Sequence, residues 1–126
     1  MTTPGSQQRR ILVVDDEPFV VEAMKMMLMH DGHMVETATN GPEALALFER
    51  DWFDLVITDY AMPGMKGNEL AAAIKARAPN HPVIMVTAYA ELVESSGIPL
   101  PDVECVISKP FLMQDLREAI AKAFAD

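Results

Sequence analysis

Five short apolar runs, spaced at similar intervals, restrict the fold of this chain more than any other feature of its sequence. They begin 21 to 28 residues apart and read ILVV (11–14), MVET (34–37), LVIT (55–58), VIMV (83–86) and CVIS (105–108). Several are continuous rather than alternating, which is typical of parallel strands that are buried on both faces. Each interval has room for a strand, a helix and two short loops, so the spacing predicts five βα units.

The segments between the runs carry apolar residues at helical spacing. These are Val20, Val21, Met24, Met27 and Leu28 in the first segment, Ala44, Leu45 and Phe48 in the second, Leu70, Ala71 and Ile74 in the third, and Leu116, Ile120, Ala123 and Phe124 in the last. Helix-end signals agree, since Pro18 fits a first helical turn, Gly32 can end the first helix and Pro79 stops the third.

Five units are too few to close an eight-stranded barrel, and right-handed crossovers place helices on both faces of an open sheet. We therefore predict an α/β, doubly wound (βα)5 fold, a flavodoxin-like three-layer sandwich with a parallel sheet in the order 2-1-3-4-5. The fourth unit is irregular because Gly97, Pro99 and Pro101 interrupt it, so we expect a short helix from Ala90 to Ser96. The expected organisation is a flexible N-terminal segment over residues 1–9 and one domain over residues 10–126.

Composition excludes several classes of function. The formal net charge is -9 and the 10 Lys and Arg residues are scattered, whereas a nucleic-acid surface needs them clustered. The polar N-terminus lacks a signal-peptide core, and no apolar segment approaches the ~20 residues that cross a bilayer, so we expect a cytoplasmic protein without membrane contact. The single cysteine, Cys105, cannot form an internal disulfide and is predicted to be a buried structural thiol.

Polar and charged residues follow four of the five predicted strands, at the edge of an open parallel sheet where ligands bind. They are Asp15, Asp16 and Glu17 after the first strand, Asp59 after the third, Thr87 after the fourth and Lys109 after the fifth. Individually they could be helix caps, a turn residue and a solvated charge. Together, however, converging carboxylates repel one another unless a divalent cation relieves them, and oxygen-only ligands suit Mg2+. A carboxylate nucleophile, a metal, a hydroxyl and an ammonium group match the requirements of phosphoryl transfer.

Four stretches carry a family resemblance: ILVVDDEP, DLVITDYAMPGMKG, VTAY and SKPF. In this order and spacing they resemble the receiver domain of two-component response regulators, in particular stand-alone regulators of the chemotaxis type. The resemblance extends from about Arg10 to Ala125. It implies a signalling module that catalyses only its own phosphorylation and slow dephosphorylation, rather than an enzyme.

The resemblance assigns roles to individual residues. It implies that Asp59 accepts a phosphoryl group from a phosphohistidine on a sensor histidine kinase or a histidine phosphotransfer protein. Asp16 and Asp59 would bind Mg2+, with Mn2+ as an alternative ion, while Asp15 would act mainly through a coordinated water and Ala61 through its backbone carbonyl. Thr87 would hydrogen-bond the phosphoryl group.

Lys109 would pair with a phosphoryl oxygen, and the bond from Lys109 to Pro110 is usually cis in such domains. Only two residues follow Phe124, so we expect no output domain in this chain. The signal would pass to a downstream protein target, and we expect a monomer or a weak dimer.

Three positions depart from the family pattern. Val106 occupies a position that often holds an aromatic residue coupled to the threonine, so the signal must leave by another route. Ala61 and Tyr89 stand at positions that tune dephosphorylation; because Ala61 cannot orient an attacking water and Tyr89 could screen the site, we predict slow dephosphorylation. The Pro-interrupted fourth helix alters a face that receivers use for dimerisation and partner binding.

Two other functions stay open at this point. One is a pseudo-receiver, a binding module that is never phosphorylated, for which Val106 leaves room. The other is a Mg2+-dependent phosphatase with an aspartyl-phosphate intermediate, although Asp59 is followed by Tyr60 and Ala61 rather than by the Asp-x-Asp pattern of such enzymes.

Outside the predicted site, two groups of residues raise smaller questions. Met26 and Met29 lie off the main apolar stripe of the first helix, so they either fill gaps in the packing or form a patch where a partner docks. His30, His33 and His81 fall in predicted loops or helix ends and are expected to be surface residues.

Overall fold

The computed structural model describes residues 8–90 and 102–125. The strands are β1 (Arg10–Val14), β2 (Met34–Ala38), β3 (Leu55–Thr58), β4 (Val83–Thr87) and β5 (Cys105–Ser108), and the helices are α1 (Pro18–His30), α2 (Gly41–Arg50), α3 (Gly67–Arg77) and α4 (Met113–Ala123). All five predicted strands are present, with ends that differ from the prediction by at most one residue. The short helix predicted from Ala90 to Ser96 runs into residues 91–101, which lie outside this description.

The strands form one parallel sheet in the order β2-β1-β3-β4-β5, which confirms the predicted topology. Val14, the last residue of β1, pairs with Ala38 on one side and with Thr58 on the other. Thr87, the last residue of β4, pairs with Ser108 at the end of β5. The carboxyl ends of all five strands therefore meet at one edge of the sheet.

A hydrophobic cluster covers each face of the sheet, because alternate residues of each strand point to opposite sides. Ile11 and Val13 of β1 pack with buried residues of α1 and α4, including Met24, Leu28, Leu116 and Ala119. Leu12 and Val14 pack with residues of α2 and α3, including Ala44, Leu70, Ala71 and Ile74. The predicted three-layer sandwich is confirmed, and β1, β3 and β4 are its buried centre.

Local signals in the sequence explain where the helices begin and end. Pro18 is the first residue of α1, and Gly32 follows the helix with φ +91°, a backbone conformation that favours glycine. Asn40 caps α2: its Oδ1 accepts a hydrogen bond from the Glu43 N–H at 2.8 Å, while Glu43 Oε1 accepts one from the Thr39 N–H at 3.0 Å. These reciprocal bonds satisfy two amide groups that the helix itself cannot pair.

Three sequence expectations about single residues need correction. Cys105 is only half-buried, because it lies on the edge strand β5 and packs against the core from one side. His30 is exposed as predicted, but His33 and His81 are half-buried. The ring nitrogens of His81 lie 2.8 Å from the carbonyl oxygen of Phe53 and 3.1 Å from that of Pro82, so backbone contacts hold this side chain in place.

Side chains of α1 divide into buried and exposed sets. Val21, Met24 and Leu28 are buried, whereas Met26 and Met29 are 69% and 54% exposed.

Among the residues that the structure describes, no helix has the length and apolar character needed to cross a bilayer.

Candidate functional site

The parallel register places two carboxylates side by side at the carboxyl edge of the sheet. Asp15 directly follows β1 and Asp59 directly follows β3, whose last residues, Val14 and Thr58, are paired. The Asp59 N–H donates to the carbonyl oxygen of Val14 at 2.9 Å, which continues the sheet by one further bond. Residues 44 positions apart in the chain are therefore neighbours in the site.

Asp15 is completely buried, and both of its oxygens are engaged. Oδ1 accepts a hydrogen bond from the Glu17 N–H at 2.9 Å, and Oδ2 accepts one from Lys109 Nζ at 2.8 Å. A buried carboxylate is stable only when such bonds compensate for its lost hydration. Asp15 therefore holds the side chain of Lys109, which was predicted to belong to the site.

Lys109 brings its ammonium group among three carboxylates. Nζ lies 2.8 Å from Asp15, 3.6 Å from Asp59 Oδ2 and 3.9 Å from Glu17 Oε1. Burial opposes its charge, but the hydrogen bond from Nζ to Asp15 and the surrounding negative charges raise the pKa of Lys109 above its ordinary value. The side chain is thus a fixed cation, and the peptide bond to Pro110 is cis, as the resemblance implied.

Asp59 occupies the most unusual environment of the site. It is 4% exposed, and its Oδ1 accepts a hydrogen bond from the Tyr60 N–H at 2.8 Å. Burial and, next, the negative charge of Asp15 raise the pKa of Asp59 from 3.8 to about 6, against the opposing effect of Lys109. The single ammonium group does not balance the carboxylates around it.

The donor set fits a magnesium ion. Asp15, Asp16 and Glu17 each offer a carboxylate oxygen, and these atoms lie within 4.8 Å of one another. This group contains two of the predicted ligands, Asp15 and Asp16, together with Glu17, which was not predicted as a ligand, and it does not include Asp59. Hard oxygen donors are the ligands that Mg2+ prefers. A cation here would also offset the crowding of negative charge that raises the pKa of Asp59.

Thr87 completes the row of strand ends. It is fully buried, its Oγ1 accepts a hydrogen bond from the Tyr89 N–H at 3.2 Å, and its carbonyl oxygen accepts one from the Lys109 N–H at 2.9 Å. The Tyr89 side chain is 52% exposed, and Val106 is half-buried on β5. Within residues 8–90 and 102–125, no acceptor is recorded for the hydroxyl proton of Thr87, so this proton can be donated to a group bound in the site.

The loop after β3 approaches the site closely at one glycine. A Cβ atom on Gly67 would collide with the carbonyl oxygen of Asp59, and the Gly67 N–H donates to the carbonyl oxygen of Tyr60 at 2.8 Å. Gly64 has φ +81°, which shapes the turn before it. The glycines of this loop let the N-terminus of α3 lie directly against the end of β3.

An apolar groove beside Lys109 was not foreseen from the sequence. It lies between α1 and the segment after β5 and is lined by Phe19, Val20, Ala23, Met27, Ala88, Pro110 and Phe111. Phe19 is 91% exposed and Leu112, next to Phe111, is 70% exposed. The one sequence signal that could have indicated this groove is Phe19, an aromatic residue that precedes the core-facing apolar residues of α1.

Comparison with known proteins agrees with this geometry. The family model of the response regulator receiver domain matches residues 11–121. The transcriptional regulatory protein GlrR of Escherichia coli is 34% identical over 113 residues, which cover 90% of this chain. The match covers 26% of GlrR, so this chain spans about a quarter of the length of that relative.

Solved structures give the same result. The response regulator protein TrrA of Thermotoga maritima, in complex with Mg2+-BeF, is 37% identical with a TM-score of 0.84 and covers 93% of this chain and 100% of TrrA. A complex of the histidine kinase ThkA with TrrA matches at 36% identity and a TM-score of 0.79, over 94% of this chain and 100% of the matched chain.

Proposed function

Because this chain belongs to the response regulator receiver domain family, we propose that Asp59 accepts a phosphoryl group from a phosphohistidine in a two-component phosphorelay. The observation that carries this proposal is the convergence of a buried Asp59, a fixed Lys109 and a buried Thr87 at one edge of the sheet. Receiver domains are signalling modules, and neither the pseudo-receiver nor the phosphatase reading is favoured.

The proposed chemistry needs only groups that the site contains. An Asp59 carboxylate oxygen attacks phosphorus, the new P–O bond forms, and the P–N bond of the phosphohistidine breaks. Its electron pair returns to the ring nitrogen, and the imidazole leaves as a neutral ring with its proton on the other nitrogen. Lys109 and the hydroxyl of Thr87 are placed to take up the charge of the transferred phosphoryl oxygens. No general base is required, because the ionised carboxylate already has a free lone pair.

Magnesium belongs to this proposal as the cofactor. Asp16 and Asp59 would hold it directly, Asp15 through a coordinated water and Ala61 through its backbone carbonyl, with Mn2+ as a substitute. When bound, the ion supplies positive charge to the phosphoryl oxygens. The proximity of the Asp15 and Asp16 carboxylates supports their part in this assignment, and the raised pKa of Asp59 supports a need for positive charge beside it.

A histidine kinase is the proposed phosphoryl donor, or a histidine phosphotransfer protein in its place. The ThkA–TrrA complex shows that one similar response regulator binds a histidine kinase. The groove between α1 and Phe111 offers an apolar contact surface directly beside Lys109, and the exposed Phe19 is suited to anchor a partner. A cytoplasmic location follows from this partner, while the downstream target would be a further protein.

The deciding experiment is intact-mass measurement after incubation with acetyl phosphate and Mg2+. We expect one phosphoryl adduct on the wild-type protein, and no adduct on Asp59→Asn or in EDTA. An unmodified wild-type protein, with this donor and with a phosphorylated histidine kinase, would refute the proposal.

A second experiment tests the docking surface. Phe19→Ala should slow transfer from a phosphorylated histidine kinase while leaving the reaction with acetyl phosphate unchanged. Trp52→Ala is the matched control, because Trp52 is 68% exposed but precedes β3 at the opposite edge of the sheet. Equal effects of the two substitutions would show that the kinase does not use the groove.

A further inference from the structure

Glu17 belongs to the acidic cluster at the mouth of the site, but neither the family resemblance nor helix capping gives its side chain a role. It is the N-cap residue of α1, yet among the described residues its side chain makes no capping hydrogen bond to the helix. Instead Glu17 Oε1 lies 3.9 Å from Lys109 Nζ, and the side chain is 65% exposed. Its carboxylate therefore faces both the solvent and the ammonium group of Lys109, which would pair with a phosphoryl oxygen.

The excess of negative charge in the site means that the Glu17 carboxylate can affect the approach of an anion. Asp15, Asp16, Asp59 and Glu17 carry four negative charges when ionised, and Lys109 carries one positive charge. With a divalent cation bound, the cluster still has one excess negative charge. Asp15 and Asp59 are buried, whereas the carboxylates of Asp16 and Glu17 are both exposed. Asp16 would be held by the metal ion in the proposed site, which leaves Glu17 as the exposed carboxylate that an incoming anion meets.

We propose that Glu17 is a specificity-determining residue that disfavours free, doubly charged phosphoryl donors. This inference rests on the proposed function, because it concerns the donor that Asp59 uses. A small dianion such as acetyl phosphate contacts only the phosphoryl-binding groups of the site, so it has no contact elsewhere on the protein to offset the repulsion of Glu17. A protein-borne phosphohistidine can offset the same repulsion by apolar contact with the groove around Phe19. The site would thereby respond to a docked protein rather than to free metabolites.

The expected effect follows from Coulomb's law with screening. At roughly 7 Å in water and about 0.1 M salt, one carboxylate changes the local concentration of an approaching anion about 1.6-fold per negative charge of that anion. Glu17→Gln should therefore speed phosphorylation by dianionic acetyl phosphate about three-fold, rising to about five-fold at about 0.01 M salt. Phosphoramidate, which carries one negative charge at neutral pH, should gain less than two-fold at about 0.1 M salt.

Glu22→Gln is the matched control. Glu22 is exposed on the same helix, about 7.5 Å further along its axis, so its replacement changes net charge equally but not the charge at the mouth. Initial rates for both donors should be measured by intact mass at saturating Mg2+, with Mg2+ affinity and thermal stability determined for each variant. Glu17→Lys should extend the trend to about seven-fold with acetyl phosphate at about 0.1 M salt.

The outcomes separate this inference from the proposed function. The inference is supported if Glu17→Gln raises the phosphorylation rate more with acetyl phosphate than with phosphoramidate. This gain should also shrink as salt is added and be absent in Glu22→Gln. Unchanged rates, equal gains for both donors, or equal behaviour of the two variants would overturn it. Failure of the wild-type protein to accept phosphoryl from either donor would refute the proposed function itself, and this inference would fall with it.

Discussion

Replacing Asp59 with asparagine should make the metal-free protein more stable at neutral pH, although it removes the proposed acceptor. Asparagine has nearly the same shape, and its side-chain oxygen can still accept the hydrogen bond from the Tyr60 N–H. What the substitution removes is a negative charge that burial and Asp15 disfavour. The ionised Asp59 carboxylate therefore lowers the free energy of unfolding of the wild-type protein, and Asp59→Asn removes this effect.

The size and the pH range of this cost follow from the pKa of Asp59. That pKa is 3.8 in an ordinary environment and about 6 in the folded protein, a difference of about 3 kcal/mol at about 1.4 kcal/mol per pH unit. Between these two values the folded state binds more protons than the unfolded state, so rising pH lowers the stability of the wild type. The advantage of Asp59→Asn should be small at about pH 4, grow up to about pH 6.5 and stay near 3 kcal/mol above it.

Urea unfolding in EDTA, followed by circular dichroism from acidic to mildly alkaline pH, measures this difference directly. Asp54→Asn is a suitable control, because Asp54 precedes the other end of β3 and its Oδ2 accepts the Arg10 N–H at 2.8 Å. That substitution weakens a favourable contact and should not stabilise the protein. A difference between wild type and Asp59→Asn that is constant with pH, or that favours the wild type at neutral pH, would refute the reasoning.

Three further predictions concern the metal, the loop and the lifetime of the phosphoryl group. Mg2+ at about 100 times its dissociation constant should stabilise the wild type by about 2.7 kcal/mol in thermal unfolding and should stabilise Asp16→Asn clearly less; equal shifts would remove Asp16 from the ligand set. Gly67→Ala should lower the free energy of unfolding by about 2–3 kcal/mol, because its Cβ collides with the Asp59 carbonyl oxygen, and an unchanged urea midpoint would contradict this. The phosphorylated protein should lose its phosphoryl group more slowly than the Ala61→Asn, Tyr89→Glu double variant, as measured by intact mass over time; a half-life no longer than that of the variant would exclude the screening role given to these residues.

The fold was predictable because its signals are local and repeated. Continuous apolar runs mark strands that are buried on both faces, and β1, β3 and β4 are such strands. Edge strands are harder to recognise, since β2 has one exposed side and its residues alternate between exposed and covered positions. The ends of α1 and α2 followed from Pro18 and Asn40, whose backbone and side-chain chemistry act within one helical turn.

The sequence predicts which residues lie at the carboxyl ends of the strands, but not which of their side chains contact one another. Topology alone brings the strand ends together, so Asp15, Asp59 and Lys109 could be named from the sequence. That the ammonium group approaches Asp15 more closely than Asp59 depends on side-chain reach across two strands, which no spacing rule encodes. The half-buried state of His81 was missed for a similar reason, because its backbone partners include Phe53, which is 28 positions away in the chain.

The position of Trp52 has a practical consequence for studies of this protein. It is the single tryptophan of the chain, and it stands before β3, while Asp59 follows that strand, whose four residues span about 13 Å. Because Trp52 is 68% exposed at the opposite end of β3, its fluorescence should change little when a metal ion or a phosphoryl group binds beside Asp59. A second tryptophan at position 89, where the native tyrosine is half exposed beside Thr87, would give the site an optical reporter of its own, against a background that the native tryptophan leaves constant.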